Sequence, residues 1–251
     1  MDSIRIDELT WVDVKEKIEN GYKTVVFGVG ATEQHGPSLP EKTDALQADE
    51  FANIVALELG NTLQAPTIPV GYSEYHLDFP GTISLRKSTL TAIIEDYIDS
   101  LVRHGFQTII IFLSHGGNVD STKNALVKMC GKYPNKKIFY YHTQEIEDAI
   151  VAMGRKYGLT LGEVGIHAGD MEASIMLHFA PELVKKDRFV KGYTKNITPR
   201  KRKILRSEGY NAITETGVIG DQSKATAEKG KDYLDNFKGI VMNYIRKKIS
   251  E

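Results

Sequence analysis

The sequence has one cysteine, Cys130, and one tryptophan, Trp11, among 251 residues. A single thiol excludes an intramolecular disulfide, so stability must come from a packed core, as in a reducing compartment. Its neighbours Leu126, Val127 and Met129 predict that Cys130 is buried on a helix. No run approaches the ~20 apolar residues of a membrane span. Met1-Asp2-Ser3-Ile4-Arg5 lacks the apolar stretch of a signal peptide. An excess of one charge sign is missing too: 32 Lys and Arg face 33 Asp and Glu. That balance gives no reason to expect nucleic acid or an anionic membrane as a partner. A cytoplasmic protein is expected. With no repeat, low-complexity tract or compositional break, residues 1–251 are expected to form one domain with a sizeable core.

What is present is an alternation of strand and helix signals. Thr24–Val29 and Thr108–Leu113 are apolar, β-branched runs of the kind that fills a central strand. Residues 65–70 and 137–141 read as further strands. Helical periodicity and stop signals place helices over 48–59, from a Ser88 cap to His104, and over 120–132, 144–157 and 171–179. Residues 188–205 read as basic and irregular. A last helix over 225–248 carries Tyr233, Phe237, Ile240, Val241 and Tyr244 at helical spacing. Such alternation predicts an α/β fold, a three-layer α/β/α sandwich around a mostly parallel sheet.

The chemistry-bearing residues cluster just past strand ends, where open α/β sheets keep their sites. After the first strand come Glu33, His35 and Asp44 on a Gly/Pro-rich loop. In extended chain, residues two apart point the same way, so Glu33 and His35 can face one site. Carboxylate and imidazole are ligands for a hard or borderline divalent metal. The alternatives are a hydrogen-bonded loop for the pair and a helix cap for Asp44. Ser114-His115-Gly116-Gly117-Asn118 follows another strand, and its glycines allow close backbone approach. A third piece is Ile166-His167-Ala168-Gly169-Asp170-Met171-Glu172. There the helix dipole alone would favour Glu172. His104 and His178 have plain readings, at a helix end and on a helix surface. The polar and aromatic loop over 71–82, with Tyr75 and His76, reads either as a pocket lining or as an ordinary surface loop.

In chain order, Gly-Ala-Thr-Glu-Gln-His-Gly-Pro, Thr43-Asp44, Phe-Pro-Gly-Thr at 79–82, His-Gly-Gly-Asn and His-Ala-Gly-Asp-Met-Glu-Ala-Ser resemble the motifs of the creatininase (creatinine amidohydrolase) family. The resemblance spans residue 28 to about residue 184. It implies a divalent-metal centre, often two ions (Zn, Mn or Fe), hydrolysis of a C–N amide, cyclic amide or formamide, and a homo-oligomer, commonly a hexamer. Residue by residue it implies Glu33, His35, Asp44, His115 and Glu172 as metal ligands. Asp44 would bridge, and His167 would transfer protons with Glu172 as the acidic residue of the same motif. Apart from the resemblance, the loop reading makes Tyr75 and His76 candidate substrate contacts, and the glycine pair makes Gly116 and Gly117 further ones whose N–H groups are candidate oxyanion donors.

The sequence also departs from the family. Creatininases carry a metal-binding Glu where this chain has Gly117. They enclose the creatinine ring with tryptophans, whereas Trp11 is far from every motif and Glu163 stands where one such ring would fall. Creatinine is therefore not the expected substrate. The basic stretch over 195–206 reads either as a solvated loop or as a holder of an anionic substrate group. A two-metal phosphoesterase and a metal-binding protein without catalysis are the rival readings.

Overall fold

The computed structural model describes residues 3–142 and 147–251. Four parallel strands, β1 (Thr24–Val29), β2 (Thr62–Gln64), β3 (Thr108–Leu113) and β4 (Lys137–His142), lie in the order β2-β1-β3-β4. Parallel neighbours need crossovers. These are helices α2 (Thr43–Leu59), α3 (Lys87–Arg103) and α4 (Val119–Lys132).

Strand residues alternate between two cores, as the pleat requires. Val25, Phe27, Val29, Ile109 and Ile111 face one side, with Ile94 and Ile98 of α3 and Met129 of α4. α1 (Trp11–Glu19) adds Ile18 there. Val26, Ile110 and Phe112 face the other, against Phe51 and Val55 of α2 and Tyr233, Phe237 and Val241 of α9 (Ala227–Ser250). α5 (Glu147–Lys156) and α7 (Asp170–Phe179) complete that layer through Met153 and Ile175. The α/β/α sandwich with a parallel sheet is thus the observed fold.

Several local expectations need correction. The strand expected over 65–70 lies at Thr62–Gln64, and of that segment Ile68 makes one isolated bridge to Val29. Pro66 and Pro69 remove ladder donors there, which limits regular pairing. α2 starts at Thr43, not residue 48, so Asp44 lies inside its first turn, whose N-cap Lys42 makes no side-chain capping bond. α3 follows Arg86, not a Ser88 cap. The basic segment is not wholly irregular: Thr198 caps α8 (Pro199–Glu208) by accepting from Lys201 N. The expected helix start at residue 144 lies outside the described residues. Cys130 is exposed. The buried stripe of α4 runs through Ser121, Thr122, Ala125 and Met129, and Cys130 falls off it.

The switch from leftward to rightward crossovers falls between β1 and β3, and crevices form at such points outside the carboxyl ends of the strands. Glycines press α2 onto that end. A Cβ at Gly30 would lie 2.4 Å from Ala45 Cα, and one at Gly28 2.7 Å from the Ala48 backbone. Ser114 Oγ donates to Asp44 O at 2.7 Å, tying the start of α2 to the end of β3.

Candidate active site

Glu33, His35, Asp44 and His115 meet in this crevice, all buried. Glu33 Oε1 lies 3.2 Å from His115 Nδ1 and 3.4 Å from His76 Nε2. Asp44 Oδ1 is 3.5 Å from His35 Nε2, and its Oδ2 is 3.4 Å from His115 Nδ1. His167 enters with Nδ1 3.8 Å from Glu33 Oε1, and its ring centroid is 4.4 Å from that of His35. Glu172 is half-buried and accepts from Ala168 N, a contact made by Ala168 holding φ +54°. His35, His167 and Glu172 lie close enough to share one ion, as do Glu33, His35 and Asp44, and Glu33, His76 and His167 are grouped as closely.

Each imidazole is oriented by a carbonyl behind it. His35 Nδ1 donates to Glu33 O at 3.0 Å, His115 Nε2 to Tyr72 O at 2.9 Å and His167 Nε2 to Gln34 O at 2.8 Å. In each neutral ring the other nitrogen then offers its lone pair inward, the usual arrangement behind a metal-ligating histidine. His76 differs. Gln34 Nε2 donates to its Nδ1 at 3.0 Å, and Gln34 Oε1 is itself held by Gly36 N at 3.0 Å. Neutral His76 therefore carries its proton on Nε2, toward Glu33.

Electrostatics give the same picture. Burial alone would lower the pKa of His35, but Asp44, then Glu172 and Glu33, overcome it and hold it at about 10. His115 is raised despite burial, by Glu33 and Asp44. Burial would raise Asp44, yet His35 and His115 bring it below the usual carboxylate range. Burial, offset in part by His35, lifts Glu172 to about 7. Burial and the neighbouring imidazoles depress both His76 and His167. Three acidic side chains, Glu33, Asp44 and Glu172, and four imidazoles, His35, His76, His115 and His167, thus share one crevice. Both Glu33 oxygens, His35 Nε2 and Asp44 Oδ2 are buried with no hydrogen-bond partner. Buried polar atoms are nearly always bonded. A divalent cation would satisfy these, and the N/O donor set suits zinc, manganese or iron.

The remaining expected residues take distinct places. Tyr75 is half-buried at the rim, edge-on to Tyr72 at 5.4 Å. His76 joins the carboxylate cluster itself. Gly116 is exposed on a 3-10 turn, and a Cβ there would meet only His142 Nε2 at 3.9 Å. At Gly117 a Cβ would lie 2.1 Å from Tyr72 O and 2.4 Å from His115 Nε2, so no side chain fits. Asn118 is a staple: Nδ2 donates to Gly30 O at 2.9 Å while Oδ1 accepts from Tyr72 N at 3.0 Å. Glu163 is engaged away from the cluster, closing the capping box of α6 (Leu161–Val164) and pairing with Lys224 at 3.2 Å. Trp11 is 78 % exposed on α1.

Two neighbours escaped the sequence reading. Tyr210 stacks on His76 with centroids 3.9 Å apart and meets His167 edge-on at 4.9 Å. His142 closes β4 beside Gly116, and burial with His115 pushes its pKa to about 4. His142 was open to discovery, lying one residue past the expected end of its strand. Tyr210, opening a short 3-10 turn (Tyr210–Ala212) well downstream of every motif, left no local signal.

Residues 7–244 match the family model of creatinine amidohydrolase, the creatininase family. The chain belongs to the creatininase family. It is 32 % identical over 219 residues to the mycofactocin precursor peptide peptidase of Mycolicibacterium smegmatis, covering 82 % of this chain and 78 % of that one. A solved creatininase carrying a tryptophan-to-alanine substitution superposes with a TM-score of 0.82 at 27 % identity, covering 98 % of each chain. A glutamate-to-glutamine mutant creatininase of Zn–Zn type gives 0.81 at 26 % identity, again over 98 % of each. Creatininase-family members are amidohydrolases acting on C–N bonds, and this chain is a hydrolase of that kind.

Proposed function

We propose that the protein is a metal-dependent amidase cleaving a linear amide of peptide type rather than creatinine. The observation that carries this is the set of buried carboxylate oxygens without hydrogen-bond partners, facing imidazole nitrogens whose far sides are fixed by carbonyls. Glu33, His35, Asp44, His115 and Glu172 would hold the divalent metal. When bound, such ions lower the pKa of water toward about 7 and polarise a carbonyl. The chain supplies the rest. His167, kept neutral by burial and with Nε2 engaged by Gln34 O, accepts a proton at Nδ1 and passes it to the leaving nitrogen. His76 presents Nε2–H from the substrate side, and Tyr210 and Tyr75 give the rim an aromatic surface. The exposed Gly116 leaves backbone N–H groups at the mouth as oxyanion donors.

A linear amide is favoured because the only tryptophan is remote and Gly117 admits no side chain, so neither the ring enclosure nor the extra carboxylate of creatininases is present. The peptidase relative supports the same substrate class. A single domain, a homo-oligomer and a cytoplasmic location belong to this proposal, with sedimentation testing the assembly. The deciding experiment is metal content per chain followed by peptide-amide, cyclic-amide and phosphate-ester panels. Metal-dependent peptide-amide cleavage is expected. Cleavage of phosphate esters alone, or bound metal with no hydrolysis, would overturn the amidase reading.

A further inference from the structure

α8 carries Arg200, Lys201, Arg202, Lys203 and Arg206 against one acid, Glu208, in a chain whose net charge is −1. Lys201 is held over the Tyr193 ring at 4.3 Å. Arg202, Lys203 and Arg206 are exposed and hold no carboxylate among the described residues, whereas Lys87, Lys128, Lys132, Lys156 and Lys238 each hold one. The three line a shallow cleft of about 390 Å³ with Pro199 and Ser207.

This face leads into the candidate site. α8 ends at Gly209 (φ +86°), where a Cβ would meet Asp78 Oδ2 at 2.8 Å and Tyr75 O at 3.3 Å, so the helix end is pressed against the rim loop. The next residue is Tyr210, stacked on His76. Arg206 lies four residues earlier, at most about 14 Å along the chain. It is near enough for its charge to act on Tyr75 and Asp120. Along the helix, Arg202 and Arg206 are separated by a rise of about 6 Å. Alternate side chains of an extended peptide are about 7 Å apart. Cations strung out in this way match successive carboxylates, whereas a single phosphate calls for donors converging on one point.

We propose that α8 is the recognition surface for an acidic peptide substrate, holding carboxylates a few residues from the amide that lies between Glu33, His76 and His167. The inference rests on the amidase reading, and binding tests it separately from turnover. The probe is a fluorescently labelled hexapeptide alternating Glu and Gly, compared with its Gln-Gly counterpart, by anisotropy on the metal-loaded protein. Exposed ion pairs each contribute a factor of a few, so the acidic peptide should bind about tenfold tighter. The preference should shrink with salt. It should vanish in Arg202→Gln/Lys203→Gln/Arg206→Gln and survive in Lys15→Gln/Lys17→Gln/Lys23→Gln, which removes equal charge near the opposite end of β1. Arg202→Glu/Arg206→Glu should prefer a Lys-Gly hexapeptide, which a misfolded variant would not do. Equal binding of the two peptides by the wild-type protein, a preference that persists without the α8 charges, or displacement by inorganic phosphate at far lower concentration than by glutarate would overturn the proposal. Acidic-peptide binding through α8 with no amide cleaved would leave this inference standing and remove the amidase reading.

Discussion

Replacing Gly117 by alanine tests the close backbone approach that this residue permits beside His115. The added Cβ would sit 2.1 Å from Tyr72 O and 2.4 Å from His115 Nε2, far inside van der Waals contact with both ends of a 2.9 Å hydrogen bond. Backbone and a buried ring cannot retreat cheaply, so one must move. Overpacking costs roughly 1–3 kcal/mol, and the lost hydrogen bond about 0.5–1.5 kcal/mol more. For a chain of this size each kcal/mol lowers Tm by about 2–4 °C, so the combined loss should lower it by roughly 3–18 °C. The functional effect should be larger in proportion. The carbonyl of Tyr72 sets which nitrogen of His115 faces Glu33 and Asp44, and losing such a partner typically lowers metal affinity about 10- to 100-fold. Differential scanning calorimetry and competitive zinc titration read the two effects. Gly131→Ala is the internal control: nothing lies within 4 Å of its Cβ on α4, so it should be stabilising by up to about 1 kcal/mol. A Gly117→Ala protein with wild-type Tm and zinc affinity would refute the reasoning.

Asp44→Ala and His115→Ala should each abolish turnover and lower metal content while circular dichroism stays native; wild-type rates in either would remove the assigned site. Metal uptake should release protons. At pH 7 the metal-free His35, held at about 10, and the raised His115 are protonated and must lose those protons to ligate. Below about pH 7 Glu172 is protonated as well, so affinity should fall more steeply there. Isothermal titration in buffers of different ionisation enthalpy measures the count, and heats that do not depend on buffer would contradict it. Away from the site, buried Asp170 pairs with Lys229 at 2.8 Å and accepts from Tyr233 Oη at 3.2 Å, joining α7 to α9. Asp170→Ala should lose about 3–5 kcal/mol in urea unfolding, because it leaves the Lys229 charge unpaired. Adding Lys229→Met should recover much of that loss.

The site was legible in the sequence to the extent that it was local. Glu33 and His35 share a face because two residues of extended chain make them do so, and His115 follows a strand whose apolar run marks it as central. The strand order then brings the two pieces together at a switch point, an outcome of right-handed crossovers rather than of any motif. Legibility stopped where partners come from irregular chain. His76 lies on a 3-10 turn, and only the tertiary contacts with Glu33 and Gln34 move it from rim to cluster. Tyr210 depends on α8, which was obscured by a run of cations with few apolar residues to give a period. Cys130 was misplaced because Ser121 and Thr122 occupy the buried stripe of α4, so apolar residues alone gave the wrong phase.

Gly117 shows how the two levels combine. As a letter in the sequence it reads as a lost ligand and a weakened second ion. In the fold it is the only residue type that lets the Tyr72 carbonyl reach His115 Nε2, so the glycine fixes the tautomer of His115 rather than merely lacking a carboxylate. Gly117→Glu should therefore fail to restore a creatininase-like centre. The new side chain would first have to displace the carbonyl that orients His115, and metal content should fall below wild type rather than rise. A gain of metal in that variant would mean the loop over 71–82 can move aside, and that the close approach at Gly117 is not what sets the site.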